Sequence, residues 1–383
     1  MNSAKKTIWI YTFEYAGIAK VGGLGEVPAN QAKYLKDKFA LRVFIPSHGQ
    51  IDRLRKTRGI KKLDFAYSEE INSKNLKIEG FSETCMIGYY ECEIEGVKII
   101  LLSGENEFTK IYLDDKIVYN PDTFTGKLLL FSLGMRAYTD YLIKNKNSRI
   151  PDLIHMHDYH VVIPFINTKQ ELNKRNLDTS SLITIHLLTH PKFDLQFYYA
   201  CGVSEQPIKI LLKDDLHKMT MAEIFELCKR KDTKTESVPS MEKIGAVISD
   251  LVTTVSNSYL KSDIIPKLGQ ELIEFKSDFV WDGCDWDFYD IKSKVLNSLG
   301  EEILEVLNIN TISDIKRADM KKYLLTYKIG NLEQSPLINS EKVLKAINQI
   351  SNGNPFIKNG NIKAFSSSGP LMITTGRMSP QKG

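Results

Sequence analysis

TIWIYTFEYAGIAKVGGLGEVPANQAKYLKDKFALRVFIPSH, Thr7 to His48, decides the fold. TIWIYTF is an apolar run of strand length. A glycine-bearing loop follows it. PANQAKYLKDKF spaces its apolar residues as a helix does, and ALRVFIPSH is a second strand. Strand, loop, helix and strand at this spacing make a βαβ unit, which requires a parallel sheet.

The alternation continues outward from this unit. CMIGYYECEI and VKIILL, within Lys61 to Leu102, read as a strand hairpin added to the sheet. KLLLFSLGMRAYTDYLI has helical periodicity, with Leu128, Phe131, Leu133, Tyr138 and Leu142 on one broad apolar face. DLIHMHD, SLITIHLL and DLVTTVS are further short strands, each followed by a turn. The pattern predicts an α/β fold over residues 1–290: a Rossmann-like parallel sheet flanked by helices. Residues 291–370 change character. A charged helical stretch carries the stripe Leu296, Leu299, Ile303, Leu304 and Leu307, and a loop rich in Asn, Ser and Gly follows it. Residues 371–383 hold a strand-like run, LMITT, and the loop GRMSPQKG.

Composition narrows the function. The chain has 383 residues, 42% hydrophobic and 26% charged, as ordinary globular proteins do. Its net charge of +4 leans toward anionic ligands and falls short of a nucleic-acid-binding signature. No apolar run approaches the roughly 18 residues of a membrane helix. Five cysteines without CxxC spacing predict reduced thiols and a cytoplasmic setting.

Five motifs could carry chemistry. In KVGGL, Lys20 precedes Gly22 and Gly23 where a helix is about to start. Exposed N–H groups, a close backbone and a cation together suit a phosphate. A tight turn with a solvated lysine explains the same residues. HMHDYH, His155 to His160, stands at a strand's carboxyl end, where open α/β sheets bind ligands. Its aspartate is one place early for the HxHxDH metal pattern, so His157, Asp158, Tyr159 and His160 read better as polar ligand contacts. For His155, a buried histidine bonded to backbone remains the plain alternative. His186, at the end of SLITIH, can donate to a sugar hydroxyl or sit satisfied in the core. The acidic residues of WDGCDWDFYD fit turn chemistry better than paired acid–base catalysis. Arg377 and Lys382 could clamp a diphosphate leaving group, though taken alone the stretch reads as solvated terminal residues.

Order and spacing give these motifs a common source. KVGGLGEVP resembles the K-[TV]-GGL-[AG]-[DE]-V signature of bacterial and archaeal glycogen and starch synthases, which are retaining glucosyltransferases. HMHDYH resembles their H-x-HDWH, TIHLL the start of TIHNL, and LVTTVSNSYLKSDI their V-x-TVS-x-x-Y. DGCDWDFYD is similar to NGID-x-x-x-[WF], and RMSPQKG to the R-[LM]-x-x-QKG that opens the second domain. PSHGQ is closer to archaeal members. Three departures stand out: Leu187 replaces an asparagine, Tyr159 a tryptophan, and Asp282 the asparagine of NGID.

The resemblance implies the N-terminal half of a GT-B fold, two Rossmann-like domains facing a cleft. Residues 1–290 would be the acceptor-binding catalytic domain, 291–370 an insertion and linker, and 371–383 the start of a nucleotide-binding domain. ADP-glucose or UDP-glucose would be the donor and an α-1,4-glucan the acceptor, with no metal or organic cofactor. Homo-oligomerisation is left open. Lys20, Gly22 and Gly23 would meet the donor phosphates. Asp158 and His186 would meet the glucosyl unit; His157, Tyr159 and His160 would make sugar contacts. Arg377 and Lys382 would neutralise the departing diphosphate. Transfer would proceed by front-side attack of the acceptor 4-hydroxyl. With the second domain cut short, the chain alone is expected to be inactive. The alternative is a non-catalytic glucan-binding module, or a subunit needing a second chain.

Overall fold

The computed structural model describes residues 5–71, 84–145, 150–213, 215–229, 238–283 and 287–332, and short pieces between 345 and 371. The chain divides into two units, Met1–Asp282 and Gly283–Gly383.

The first unit is built on a nine-stranded sheet. Its strands are β1 (Thr7–Tyr11), β2 (Ala40–Pro46), β3 (Lys61–Glu70), β4 (Thr84–Ile94), β5 (Val97–Gly104), β6 (Leu153–His157), β7 (Ser180–Ile185), β10 (Leu251–Thr254) and β11 (Ser277–Phe279). They run in the order β11-β10-β7-β6-β1-β2-β5-β4-β3. A separate hairpin pairs β8 (Ile208–Leu211) with β9 (Leu216–Met219). From β11 to β5 every neighbouring pair is parallel; β4 and β3 extend the sheet antiparallel. The fold is thus the α/β class that the alternation predicts, with the added hairpin at one edge.

The helices of this unit are α1 (Glu26–Leu35), α2 (Ile51–Thr57), α3 (Glu107–Leu113), α4 (Pro121–Lys144), α5 (Val162–Asn173), α6 (Leu195–Ala200), α7 (Met221–Cys228) and α8 (Met241–Ile248). Strand β1 is buried at every position, as a central parallel strand covered on both faces must be. The long helix α4 starts cleanly. Asn120 accepts the N–H of Asp122, and Pro121 fills the first turn, where its missing N–H costs nothing. The predicted face Leu128, Phe131, Leu133, Tyr138 and Leu142 is buried. Helix α8 lies close to its neighbours at Gly245, where an added Cβ would stand 2.5 Å from Val162 Cγ2.

Two buried lysines hold loops rather than ligands. Lys127 Nζ donates to the carbonyls of Asp115, Ile117 and Val118. Lys276 Nζ donates to those of Leu211, Val247 and Ser249, so it caps the carboxyl end of α8. Burial lowers the pKa of Lys127 to about 8 and of Lys276 to about 7.

In the second unit, helices span Phe288–Leu307 and Arg317–Thr326. They bury Ile303, Ile315 and Tyr323, with Leu296, Leu299, Leu304 and Leu307 packed alongside. Asp287 caps the first helix by accepting the N–H groups of Tyr289 and Asp290, which is turn chemistry of the kind expected from the acidic segment. The run LMITT falls almost entirely outside the described residues. No helix among the described residues is long and apolar enough to cross a membrane.

Candidate functional site

The carboxyl ends of β1, β6 and β7 lie side by side, because β6 pairs with both of the others in parallel. The chain leaves them at Thr12, Asp158 and His186. These three exits bring the KVGGL, HMHDYH and TIHLL segments together.

After β1 the chain doubles back. Tyr15 bridges Ala19, and the Ala16 N–H donates to the carbonyl of Gly25. Inside this fold sits Glu14, only 3% exposed. Its Oε2 accepts the N–H groups of Val21 and Gly22, and its Oε1 accepts the Tyr119 hydroxyl. The glycine loop therefore carries a carboxylate where a phosphate was expected, and the Gly22 N–H already has a partner. Gly23 begins the short 3-10 turn Gly23–Gly25 that leads into α1, and a Cβ built on Gly23 meets nothing within 4 Å. Lys20 is half-exposed and pairs with the Glu26 carboxylate. A pocket of about 340 Å³ opens beside the loop, lined by Lys20, Val21, Gln50, Lys116 and Tyr119 among others.

Asp158 follows β6 with φ 61°, a left-handed conformation that is costly for a residue with a side chain. Its Oδ1 accepts the N–H groups of His186 at 2.7 Å and of Leu187 at 3.4 Å. Burial raises its pKa to about 7 against those two donors, and the Glu242 and Glu14 charges push the same way. Asp158 thus shapes the β7 exit from below and is only 4% exposed.

The histidines divide. His157 is 0% exposed and His160 6%, so neither ring is open to a sugar in this structure. For His157 the reason is topological: β6 lies inside the sheet, and its neighbours cover it; His160, in the turn Tyr159–Val161 beyond the strand, is buried by the rings around it. His160 packs against Phe13, Tyr119, Phe124 and Tyr159. His155 Nε2 lies 2.8 Å from Thr184 Oγ1. Burial holds His155 and His160 near pKa 3 and His157 well below its usual range. The three rings point to different partners. Among the described residues, no group of His, Cys, Asp or Glu gathers as a metal site would.

His157 Nδ1 lies 3.1 Å from His186 Nε2, and His157 Nε2 has no partner. A buried acceptor tolerates that isolation better than a buried N–H does. The network therefore assigns the hydrogen to His157 Nδ1, donating to His186 Nε2. Neutral His186, its pKa lowered to about 4 by burial, then carries its own hydrogen on Nδ1. That is a donor suited to a sugar hydroxyl.

Beyond His186 the loop is held by Glu242, which sequence reading missed, and by Tyr259, the tyrosine of the V-x-TVS-x-x-Y segment, to which it gave no role. Tyr259 Oη accepts the Leu188 N–H. Glu242 Oε1 accepts those of Thr189 and His190. Tyr159 is half-buried beside them, its hydroxyl bonded to Thr189. Arg377 and Lys382 lie outside the described residues.

Comparison with known proteins fits this geometry. The model of the starch synthase catalytic domain family matches residues 7–275. The glycogen synthase of Kosmotoga olearia is 23% identical over 340 residues, covering 85% of this chain and 55% of that protein. The glycogen synthase of Fusobacterium nucleatum subsp. nucleatum is 26% identical over 333 residues, covering 82% of this chain and 62% of that one. The chain thus spans little more than half the length of these relatives. Its fold is similar to the catalytic domain of Starch Synthase IV from Arabidopsis thaliana bound to ADP and acarbose. The TM-score is 0.58 at 18% identity, over 79% of this chain and 59% of that one. The family match covers most of the chain and takes in all three strand exits, and the chain belongs to the starch synthase catalytic domain family.

Proposed function

We propose that this chain supplies the acceptor-side half of a glycogen or starch synthase. It would transfer glucose, with retention, from ADP-glucose or UDP-glucose to the 4-hydroxyl at the non-reducing end of an α-1,4-glucan. The observation that carries this reading is the meeting of the KVGGL, HMHDYH and TIHLL segments at the carboxyl edge of one parallel sheet, within a starch synthase family match.

Each residue takes one role in this reading. Lys20, with open space above Gly23, faces the donor phosphates, and Glu26 yields Lys20 to them. Gly22 serves by its missing side chain, since its N–H belongs to Glu14. His186 Nδ1–H donates to a hydroxyl of the glucosyl unit. Asp158 acts by fixing the main chain under His186, and Tyr159 lies close enough to the loop to contact sugar. His157 and His160 support the site from within. Arg377 and Lys382 meet the leaving diphosphate.

In the reaction, the glucosyl C1–O bond to the diphosphate breaks and its electron pair leaves with the diphosphate. The acceptor 4-hydroxyl oxygen forms the new bond, and its proton passes to the departing phosphate oxygen. Cations at the diphosphate stabilise that charge more in the transition state than in the ground state. The buried free thiols of Cys85, Cys92, Cys201 and Cys228 are consistent with work in the cytoplasm.

The test is transfer of labelled glucose to glycogen from each donor, by this chain and by any longer product of its gene. Glycogen retardation in an affinity gel runs in parallel. Transfer that His186→Ala or Lys20→Ala reduces at least tenfold supports the reading. Retardation without transfer makes the chain a glucan-binding module instead. Neither transfer nor retardation overturns both readings.

A further inference from the structure

Five consecutive main-chain N–H groups leave β7, and three side chains take all of them. Asp158 Oδ1 accepts from His186 and Leu187. Tyr259 Oη accepts from Leu188 at 2.8 Å. Glu242 Oε1 accepts from Thr189 and His190, both at 2.9 Å, and also from the Thr189 hydroxyl at 3.1 Å. Donors so aligned attract anions, and an empty row of this kind is how many proteins hold phosphate. Here two carboxylates and a tyrosine hydroxyl fill the row from inside the protein.

Glu242 anchors the far end. It is 0% exposed and stands in the first turn of α8, where the helix dipole favours a negative group. The same turn is stitched to the loop at two further points: the Met241 N–H donates to the Pro191 carbonyl, and Lys192 bridges Ser240. Leaving a buried carboxylate without donors is costly, so Glu242 and the loop order each other. At His190 the chain turns through φ 55°, which brings the last N–H of the row back to Glu242.

We propose that Glu242 is a positioning residue that fixes the Leu187–His190 loop and so holds the His186 ring in register with His157. This rests on the reading of His186 as a contact to the transferred sugar. Asp158 grips the loop at its start, and Tyr259 in the middle. Without the grip of Glu242 at its end, the His186 ring would be free to swing away from His157 Nδ1.

The experiment compares wild type with Glu242→Leu and Glu242→Gln in this chain, reading two signals that need no turnover. Amide hydrogen exchange at Thr189 and His190 is expected to accelerate about 100-fold in Glu242→Leu and to stay within threefold of wild type in Glu242→Gln, which keeps an acceptor oxygen. The imidazole nitrogen-15 signals of His186 are expected to report a single tautomer in wild type and Glu242→Gln, and mixed tautomers in Glu242→Leu. A folded Glu242→Leu with an unchanged His186 tautomer overturns the proposal. If Glu242→Leu does not fold, Glu242→Asp replaces it: the shorter side chain withdraws its oxygen from the Thr189 and His190 N–H groups, their exchange is expected to speed about tenfold with mixed His186 tautomers, and an unchanged His186 tautomer again overturns the proposal. The functional reading fails separately, if His186→Ala leaves glucose transfer intact while the spectroscopic result holds.

Discussion

The Glu14 carboxylate sits inside the glycine loop, with its Oε2 2.6 Å from the Val21 nitrogen and 2.9 Å from that of Gly22. With the Tyr119 hydroxyl on its other oxygen, it is a scaffold for the segment that presents Lys20. Hydrogen bonds to a charged group contribute about 1.5–3 kcal/mol each, and about 1.4 kcal/mol is a tenfold change. Glu14→Leu is therefore expected to weaken nucleotide-sugar binding roughly 10- to 100-fold. Calorimetric titration measures it. Unchanged affinity would mean that the Tyr15–Ala19 and Ala16–Gly25 bonds set the loop by themselves.

Lys20 and Glu26 form a pair in which both side chains are about half exposed, and such pairs contribute under about 1 kcal/mol to stability. Lys20→Ala should leave the melting temperature within about 2 °C, and in a complete synthase chain it should lower transfer at least tenfold. Glu26→Gln should do the reverse of Lys20→Ala on the donor, improving its affinity by freeing the cation. A large loss of thermal stability in Lys20→Ala would instead make the lysine structural.

Acid should unfold this protein early. Burial holds the folded-state pKa of His48, His155 and His160 near 3, against the ordinary histidine value of 6.5. Between those values the unfolded chain binds more protons than the folded one. Stability is then complete above pH 6.5 and drains as pH falls, by about 2 kcal/mol per ring at pH 5. Asp158 acts in the opposite sense, because its raised pKa lets the folded state bind a proton first. Asp114 and Asp282, also raised by burial, act in the same sense as Asp158, while the His186 ring, lowered to about 4 by burial, adds to the other three. Circular dichroism against pH is expected to show unfolding beginning near pH 5. A native signal persisting to pH 4 would mean that the rings are hydrated in solution.

Lys276→Met is expected to cost about 3 kcal/mol or more, since it strands three buried carbonyls. Denaturant unfolding checks this, and a change under about 1 kcal/mol would show that water replaces the ammonium.

The strands of this fold were legible because TIWIY, LIHMH, SLITI and LVTT are short apolar runs, each bounded by turn residues. The glycine loop was legible as a loop, but not as one that is already filled. Its filler, Glu14, looks from sequence like any charged residue after a strand. Glu242 was missed, and Tyr259 was noticed in its motif but given no role, because their bonds span 53 and 71 residues and no local pattern encodes such a pairing. The histidines of HMHDYH misled for a related reason. Their polarity suggests a surface, while the place of β6 in mid-sheet puts His157 in the interior. Knowing the strand order would have corrected that reading before any side chain was placed.

The row of captured amides also limits what mutation can do to this segment. Proline has no N–H, so a proline anywhere from His186 to His190 would delete one of the row's donors. The chain's next residue, where the row ends, is Pro191. Both histidine codons and every threonine codon lie a single base from a proline codon. Inheritance therefore offers this loop several one-step routes to damage that alter no side chain of the clamp itself.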